Sequence, residues 1–349
     1  MLPSILLRGL FALLVSLPSI ASEFAPTPSR SPLVIYGAAD YPEITPLVEA
    51  FSQKYPNIET TYTEFSTQDL YWQASQQADQ PDLLLSSAMD LQVRLVNDGY
   101  SQTYRSTETE QLPPWATWRS EVFGFAYEPA TIVINTRFFP ASELPKSRTE
   151  LLEYIRRHEN VAQGRLATFD IRKAGVGFLL WAHDSVKTGS YGRLLESFGA
   201  HDARIYDSSA AMLSALSSGS VMIGYNVLGS YAASWAKENP FLKVILPSDY
   251  TTVLMRTAIM PKAAKNKDNA ARFLDFLLSE EGQGLIATQT SFYPIRQDID
   301  SNVAAKALRV SANGLLRPIP LDVSLLVFSD QMKRQILLDE WERALLEYE

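Results

Sequence analysis

Residues with the means to bind something cluster where short apolar runs end. Gly37, Ala39 and Asp40 follow Leu33-Val34-Ile35-Tyr36, and Ser86, Ser87 and Met89 follow Leu83-Leu84-Leu85. Thr168, Asp170, Arg172, Gly175 and Gly177 trail the run that starts at Leu166, and Tyr225, Asn226 and Ser230 trail the one from Val221. In α/β sheets a ligand sits outside the carboxyl ends of the strands, where helix N-termini point. Free N–H groups there favour an anion, and serine hydroxyls add donors. Arg256 joins this candidate ligand-binding set for another reason. It interrupts the alternating apolar run 253–260, where an unpaired charge would be expensive. A ligand anion or an internal carboxylate is its expected partner, and both remain open.

Plainer roles compete with several of these. Ser86 and Ser87 could be helix N-caps. Gly175-Val176-Gly177 could serve close backbone packing, although its place after Arg172-Lys173 favours an anion seat. Trp115, Trp118, Phe125 and Tyr127 read as core more than as a stacking surface. Glu121 and Glu128 could accept ligand hydroxyls, with solvated surface carboxylates as the plainer reading. Arg296, after the Tyr-Pro-Ile turn, reads as structural. His158, His183 and His201 show no ligand spacing, so no metal and no cofactor are expected. The chain has no cysteine, which removes disulfides, thiolate metal sites and a cysteine nucleophile together. With no G-x-S-x-G elbow, P-loop or metal cluster either, an enzyme is not expected.

Strands alternating with amphipathic helices must position these residues, the pattern of doubly wound α/β lobes. Strands are expected at 33–37, 58–65, 82–86, 166–170, 203–206 and 221–225. Helices are expected at 42–54, from 67, after 86, at 149–157, and from 175, 207 and 227. The long extended run 123–135 reads as a crossing between lobes, with Pro129 at an edge or bend. Lobe one is expected over 32–128 plus 253–300 and lobe two over 136–245, with hinge crossings at 129–135 and 246–252. Residues 301–349 form a C-terminal region ending in a helix from about 329. Its stripe Met332, Ile336, Leu337, Trp341 and Leu345 should pack on the body.

The N-terminus carries Arg8, the apolar run 10–17 and small residues ending at Ala21, which reads as a cleaved export signal over 1–21. The apolar run is too short to cross a bilayer, which takes roughly 20 residues. Without a cysteine after it, lipid attachment is not expected, and a free periplasmic monomer is. Roughly 325 residues then remain, more than one core usually supports. A net charge of −8 with dispersed acidic residues argues against nucleic acid as a partner.

Three stretches resemble the family 1 and iron-type solute-binding proteins of ABC transporters: LVIYGAADYPEITPLVEAF (33–51), PDLLLSSAMD (81–90) and PKAAKNKDNAARFLDFLLSEEGQ (261–283) with YPIR (293–296). The resemblance implies the type II periplasmic-binding-protein fold, closing on a ligand for an ABC permease. Segments 115–129, 168–177, 225–231 and 317–341 are similar to binding proteins grouped with phosphoglycerate-transport regulatory proteins. That narrower likeness implies a sensor histidine kinase ectodomain as an alternative partner. Ferric-binding members carry adjacent tyrosines where this chain reads Asn-Val-Leu-Gly-Ser-Tyr (226–231), so iron is not the expected ligand. A small anionic organic solute, phosphorylated or carboxylated, is.

Overall fold

The computed structural model describes residues 30–76, 81–139, 143–187, 189–296, 299 and 316–346. The expected export signal 1–21 lies outside the described residues, as do 301–315 of the C-terminal region. β1 (Ser31–Gly37) buries Leu33, Ile35 and Gly37 with the period of two that a strand requires. α1 (Tyr41–Lys54) buries Ile44, Leu47, Val48 and Phe51 along one helical face. β2 (Ile58–Glu64) returns parallel to β1. α2 (Thr67–Gln76), β3 (Leu83–Ser86) and α3 (Met89–Asn97) repeat the unit, β3 lying parallel to β1 on its other side. A single turn, α4 (Thr107–Glu110), and β4 (Thr117–Trp118) lead into β5 (Val122–Asn135).

β5 serves both lobes. Through Pro129 it pairs antiparallel with β10 (Thr251–Ile259); from Ala130 it pairs with β8 (Ile223–Leu228) and β9 (Leu242–Ile245). Pro129 was expected at an edge or bend, yet it lies inside this central strand, opposite Val253, at the seam where the ladder changes partner. Proline has no N–H to offer a ladder, and the seam is where β5 can do without one. Residues 130–135 of the expected crossing are second-lobe strand.

The second lobe contains α5 (Arg148–Arg157), α6 (Glu159–Ala162), β6 (Leu166–Phe169), α7 (Gly175–Lys187), α8 (Tyr191–Ala200), β7 (Arg204–Tyr206), α9 (Ser209–Ser218) and, after β8, α10 (Gly229–Glu238). β6 is parallel to β7 and β8. β8 starts and ends later than the expected 221–225. Asn226 forms a bulge at φ 63°, with Tyr225 facing Ile132 and Val227 facing Thr131. Strand order is β2-β1-β3-β10-β5 in lobe one and β5-β8-β6-β7 in lobe two.

α11 (Lys267–Leu278) and α12 (Glu280–Gln289) complete lobe one, and β11 (Tyr293–Pro294) pairs with β5. β12 (Leu316–Pro318) lies parallel to β10, followed by α13 (Leu326–Ser329) and α14 (Gln331–Leu345), the latter packed on α8. Only part of the expected apolar stripe packs. Leu337, Trp341 and Leu345 are buried, whereas Met332 and Ile336 are 74% and 53% exposed. Among the described residues no helix is long and apolar enough to cross a membrane.

Candidate functional site

The ends of β1, β2, β3, β6, β7 and β8 meet around a cavity of about 300 Å³ between the lobes. Lobe one contributes Asp40, Glu64, Thr67 and Ser87, and Arg256 enters from β10. From lobe two come Phe169, Tyr231 and the segment Asp207, Ser208, Ser209 and Ala210. Ser208 caps α9 by accepting the Ala211 amide, and Ser66 does the same for the Asp69 amide in α2. Both helix N-termini, the positive ends of their dipoles, therefore border the cavity.

Arg256 is 2% exposed. Its Nε donates to Glu128 Oε1 at 2.7 Å, and Ser230 Oγ donates to the same oxygen at 2.6 Å. Glu128 is fully buried, so the reading of it as a solvated surface carboxylate is corrected: it is the internal partner of Arg256. One donor remains. Nη2 of Arg256 is buried and has no hydrogen-bond partner among the described residues. Such an orphan costs about 1–3 kcal/mol unless something fills it.

Asp40 stands at the N-cap of α1 but does not cap it. The Tyr41 amide is taken instead by Glu64 Oε2 at 2.8 Å, and Pro42 has no N–H. The Asp40 amide donates to Tyr231 Oη across the lobes at 3.2 Å. Burial raises the Asp40 carboxyl above its ordinary pKa, helped by Glu64 and opposed by Arg256. Burial also pushes the Tyr231 hydroxyl up to about 12, so it remains protonated at neutral pH.

The family described as bacterial extracellular solute-binding protein matches residues 33–289. The chain belongs to this family. A solved relative, the substrate-binding protein of an ABC transporter from Agrobacterium tumefaciens, is 35% identical over 94% of this chain and 97% of its own, at a TM-score of 0.86. AfuA from Actinobacillus pleuropneumoniae, solved with fructose-6-phosphate, shares 16% identity over 91% of this chain and 99% of its own, at a TM-score of 0.71. Iron-bound HitA from Pseudomonas aeruginosa shares 19% over 90% and 100%, at 0.73. No match was found among the curated proteins. The fold is that of type II periplasmic binding proteins.

In this solute-binding protein the cavity collects three of the residues picked from sequence: Asp40, Ser87 and Arg256. The others do not line it. Gly37 packs under the Tyr62 ring, and Ala39 exchanges hydrogen bonds with the Tyr62 hydroxyl. Ser86 Oγ accepts the Ala88 amide, and Met89 Sδ accepts the Met255 amide. Thr168 accepts the Trp181 indole N–H. Asp170 and Arg172 pair bidentately with each other at 2.8 and 2.7 Å.

Gly175-Val176-Gly177 is a packing device. A Cβ on Gly177 would fall 2.3 Å from Phe169 Cβ, and one on Gly175 would fall 2.8 Å from Leu91 Cδ1 of lobe one. Ser230 reaches the site through Glu128. Tyr225 and Asn226 instead join a buried cluster on Asp184, with Tyr225 Oη donating at 2.8 Å, Asn226 Nδ2 at 3.1 Å and Tyr250 Oη at 2.7 Å. Arg148, also buried, donates to the same carboxylate and to Tyr225 Oη. His183 is pulled down to about 4 by burial, against the attraction of Asp184. Among the described residues no group of three or more His, Cys, Asp or Glu is placed to hold a metal.

The sequence reading missed Glu64, Thr67, Asp207, Ser208, Ser209 and Tyr231. The signal for most was available. Glu64 and Thr67 stand at the end of β2, and Asp207, Ser208 and Ser209 at the end of β7, where the same strand-end rule holds.

Proposed function

We propose that the protein is exported through residues 1–21, captures a small anionic organic solute between its lobes in the periplasm, and hands it to an ABC permease. The observation that carries this is Arg256: a buried guanidinium on the cavity whose Nη2 lacks a partner. The N-termini of α2 and α9 on the same cavity add fixed positive partial charge. At roughly 30 Å³ per water, a cavity of about 300 Å³ holds the volume of about ten waters, which suits a small metabolite. AfuA, of the same fold, holds a phosphorylated sugar. Against iron, the Tyr225 hydroxyl is committed to Asp184 and Arg148.

Thermal shift and calorimetry against phosphorylated and carboxylated metabolites test the proposal. A bound anion at 100 times its Kd should stabilise the protein by about 2.7 kcal/mol. Arg256→Met should remove that response. Stabilisation by neutral sugars or free Fe³⁺ alone would overturn the reading.

A second output, signalling to a histidine kinase ectodomain, is supported by the apolar side chains Met332 and Ile336 left exposed on α14. Ligand-dependent association with the ectodomain, weakened by Met332→Lys, is the expected result. Association that ignores the ligand would remove it.

A further inference from the structure

The groups bordering the cavity make an odd seat for a simple anion. Asp40, Glu64 and Asp207 all line it, against a single lining guanidinium among the described residues. That guanidinium is already balanced by Glu128. A phosphate or carboxylate entering this space would meet the Arg256 charge while facing three carboxylates. Glu64 and Asp207 are exposed and can be answered by water, so half-buried Asp40 is the carboxylate on which a positive group of the solute acts most strongly.

At an N-cap, an aspartate ordinarily accepts the amide two or three residues on. Here Pro42, two residues on, has no N–H, and the Glu43 amide, three on, donates to the backbone carbonyl of Asp40, so the half-buried Asp40 carboxylate makes no hydrogen bond among the described residues. Its backbone is fixed by Tyr231, so the side chain is held at the cavity with no internal use. Two residues of opposite charge, each with an unsatisfied polar group, thus line one small space: Arg256 and Asp40. Arg256 influences the Asp40 carboxyl directly, so the two lie within electrostatic reach.

Resting on the anion reading above, we infer that the solute is a small zwitterion, its anionic end on Arg256 and the helix N-termini, its ammonium on Asp40. A hydroxyl would donate to Asp40 but leave the excess of negative charge uncorrected. An ammonium supplies up to three donors and the missing positive charge. Glu64, with one oxygen still uncommitted, stands beside Asp40 to share it.

Matched pairs test this by calorimetry: O-phosphoethanolamine against ethyl phosphate, and β-alanine against propionate. In at least one pair the amine-bearing member should bind about tenfold or more tightly than its amine-free partner, as charge-assisted hydrogen bonds permit. Asp40→Asn should collapse that ratio to about threefold or less, with an unchanged far-ultraviolet spectrum showing that the variant folds. Arg256→Met should abolish binding of both members. Equal binding within each pair would overturn the zwitterion and leave the anion reading standing. Failure of both amines to bind would also overturn it. Failure of all four, with binding of a neutral sugar, would bring down both readings.

Discussion

Arg256 and Glu128 form an ion pair with almost no exposure, 2% and 0% at their side chains. Breaking such a pair strands the surviving charge, at a cost of about 3–5 kcal/mol. Glu128→Leu should lower unfolding stability by that amount in a urea titration. The double variant Glu128→Leu/Arg256→Met should recover most of the loss, because neither charge is then buried alone. Asp90, in the first turn of α3, is a different case. It is fully buried, and neither carboxylate oxygen has a hydrogen-bond partner among the described residues. Burial raises its carboxyl to about 6, against the pull of Arg334, the nearby Leu91 amide and Arg94. A raised carboxyl binds its proton more tightly in the folded state, so the penalty is absent below the unfolded pKa of about 3.8. It grows as pH rises from there to about 6 and is complete above. Asp90→Asn should therefore stabilise the protein at pH 7.5 by something on the order of 2–3 kcal/mol. At pH 4 the difference should nearly vanish, and a pH-independent gain would show that the charge is not the cause. Neither Asp90 nor Glu128 could be read as buried from sequence. Charged residues are seldom buried unless paired, and pairing across 128 positions is invisible to local pattern.

At the scale of elements, most of the fold was legible because helices and strands here follow simple periods. α1 and α5 lie within a residue of where the pattern puts them, and β1 begins at Ser31. The misreadings have local causes. β8 runs past its expected end because Asn226 bulges and the ladder resumes at Val227. The two glycines of α7 looked like an anion seat because sequence cannot distinguish a backbone kept clear for a ligand from one kept clear for a neighbour. Gly177 is kept clear for Phe169. Gly177→Ala should therefore overpack the α7–β6 contact and cost about 1–3 kcal/mol, read as a lower denaturation midpoint. Gly192 in α8 has nothing within 4 Å of the same virtual Cβ. Gly192→Ala should be neutral or stabilising by up to about 1 kcal/mol, since alanine is the better helix former. Equal effects at both positions would show that helix propensity, not the Phe169 contact, governs α7.

Across the whole molecule, the two lobes share a continuous apolar core together with specific hydrogen bonds. The Asp40 amide reaches Tyr231, the Val176 amide reaches Thr67 Oγ1 at 3.3 Å, and Ser230 reaches Glu128. Both connections change lobes at one level, since Pro129 on β5 and Val253 on β10 are register partners. The return segment before β10 is held to lobe two, with Arg148 donating to Tyr250 O at 2.8 Å and Tyr250 Oη to Asp184. We predict that bending concentrates at the seam near Pro129 and Val253, with the α7 N-terminus closing against α2 and α3, which it faces across the interface. Gly175 is the point of closest approach, where a Cβ would lie 2.8 Å from Leu91 Cδ1, 3.2 Å from Thr67 Oγ1 and 3.4 Å from Ala88 Cβ. A larger side chain there presses on the buried Leu91 and Ala88 of lobe one and obstructs the close approach of the lobes. Gly175→Val should lower the stability of the free protein by about 1–3 kcal/mol, as overpacking does, while leaving it folded. If it cuts the closed population tenfold, apparent affinity falls by about the same factor, because affinity scales with the fraction competent to bind. Small-angle scattering at saturating ligand supplies the independent measurement. Wild type should contract on binding, and Gly175→Val should contract less or not at all. Full contraction with unchanged affinity would mean that Leu91 and Thr67 yield easily and that α7 does not gate closure.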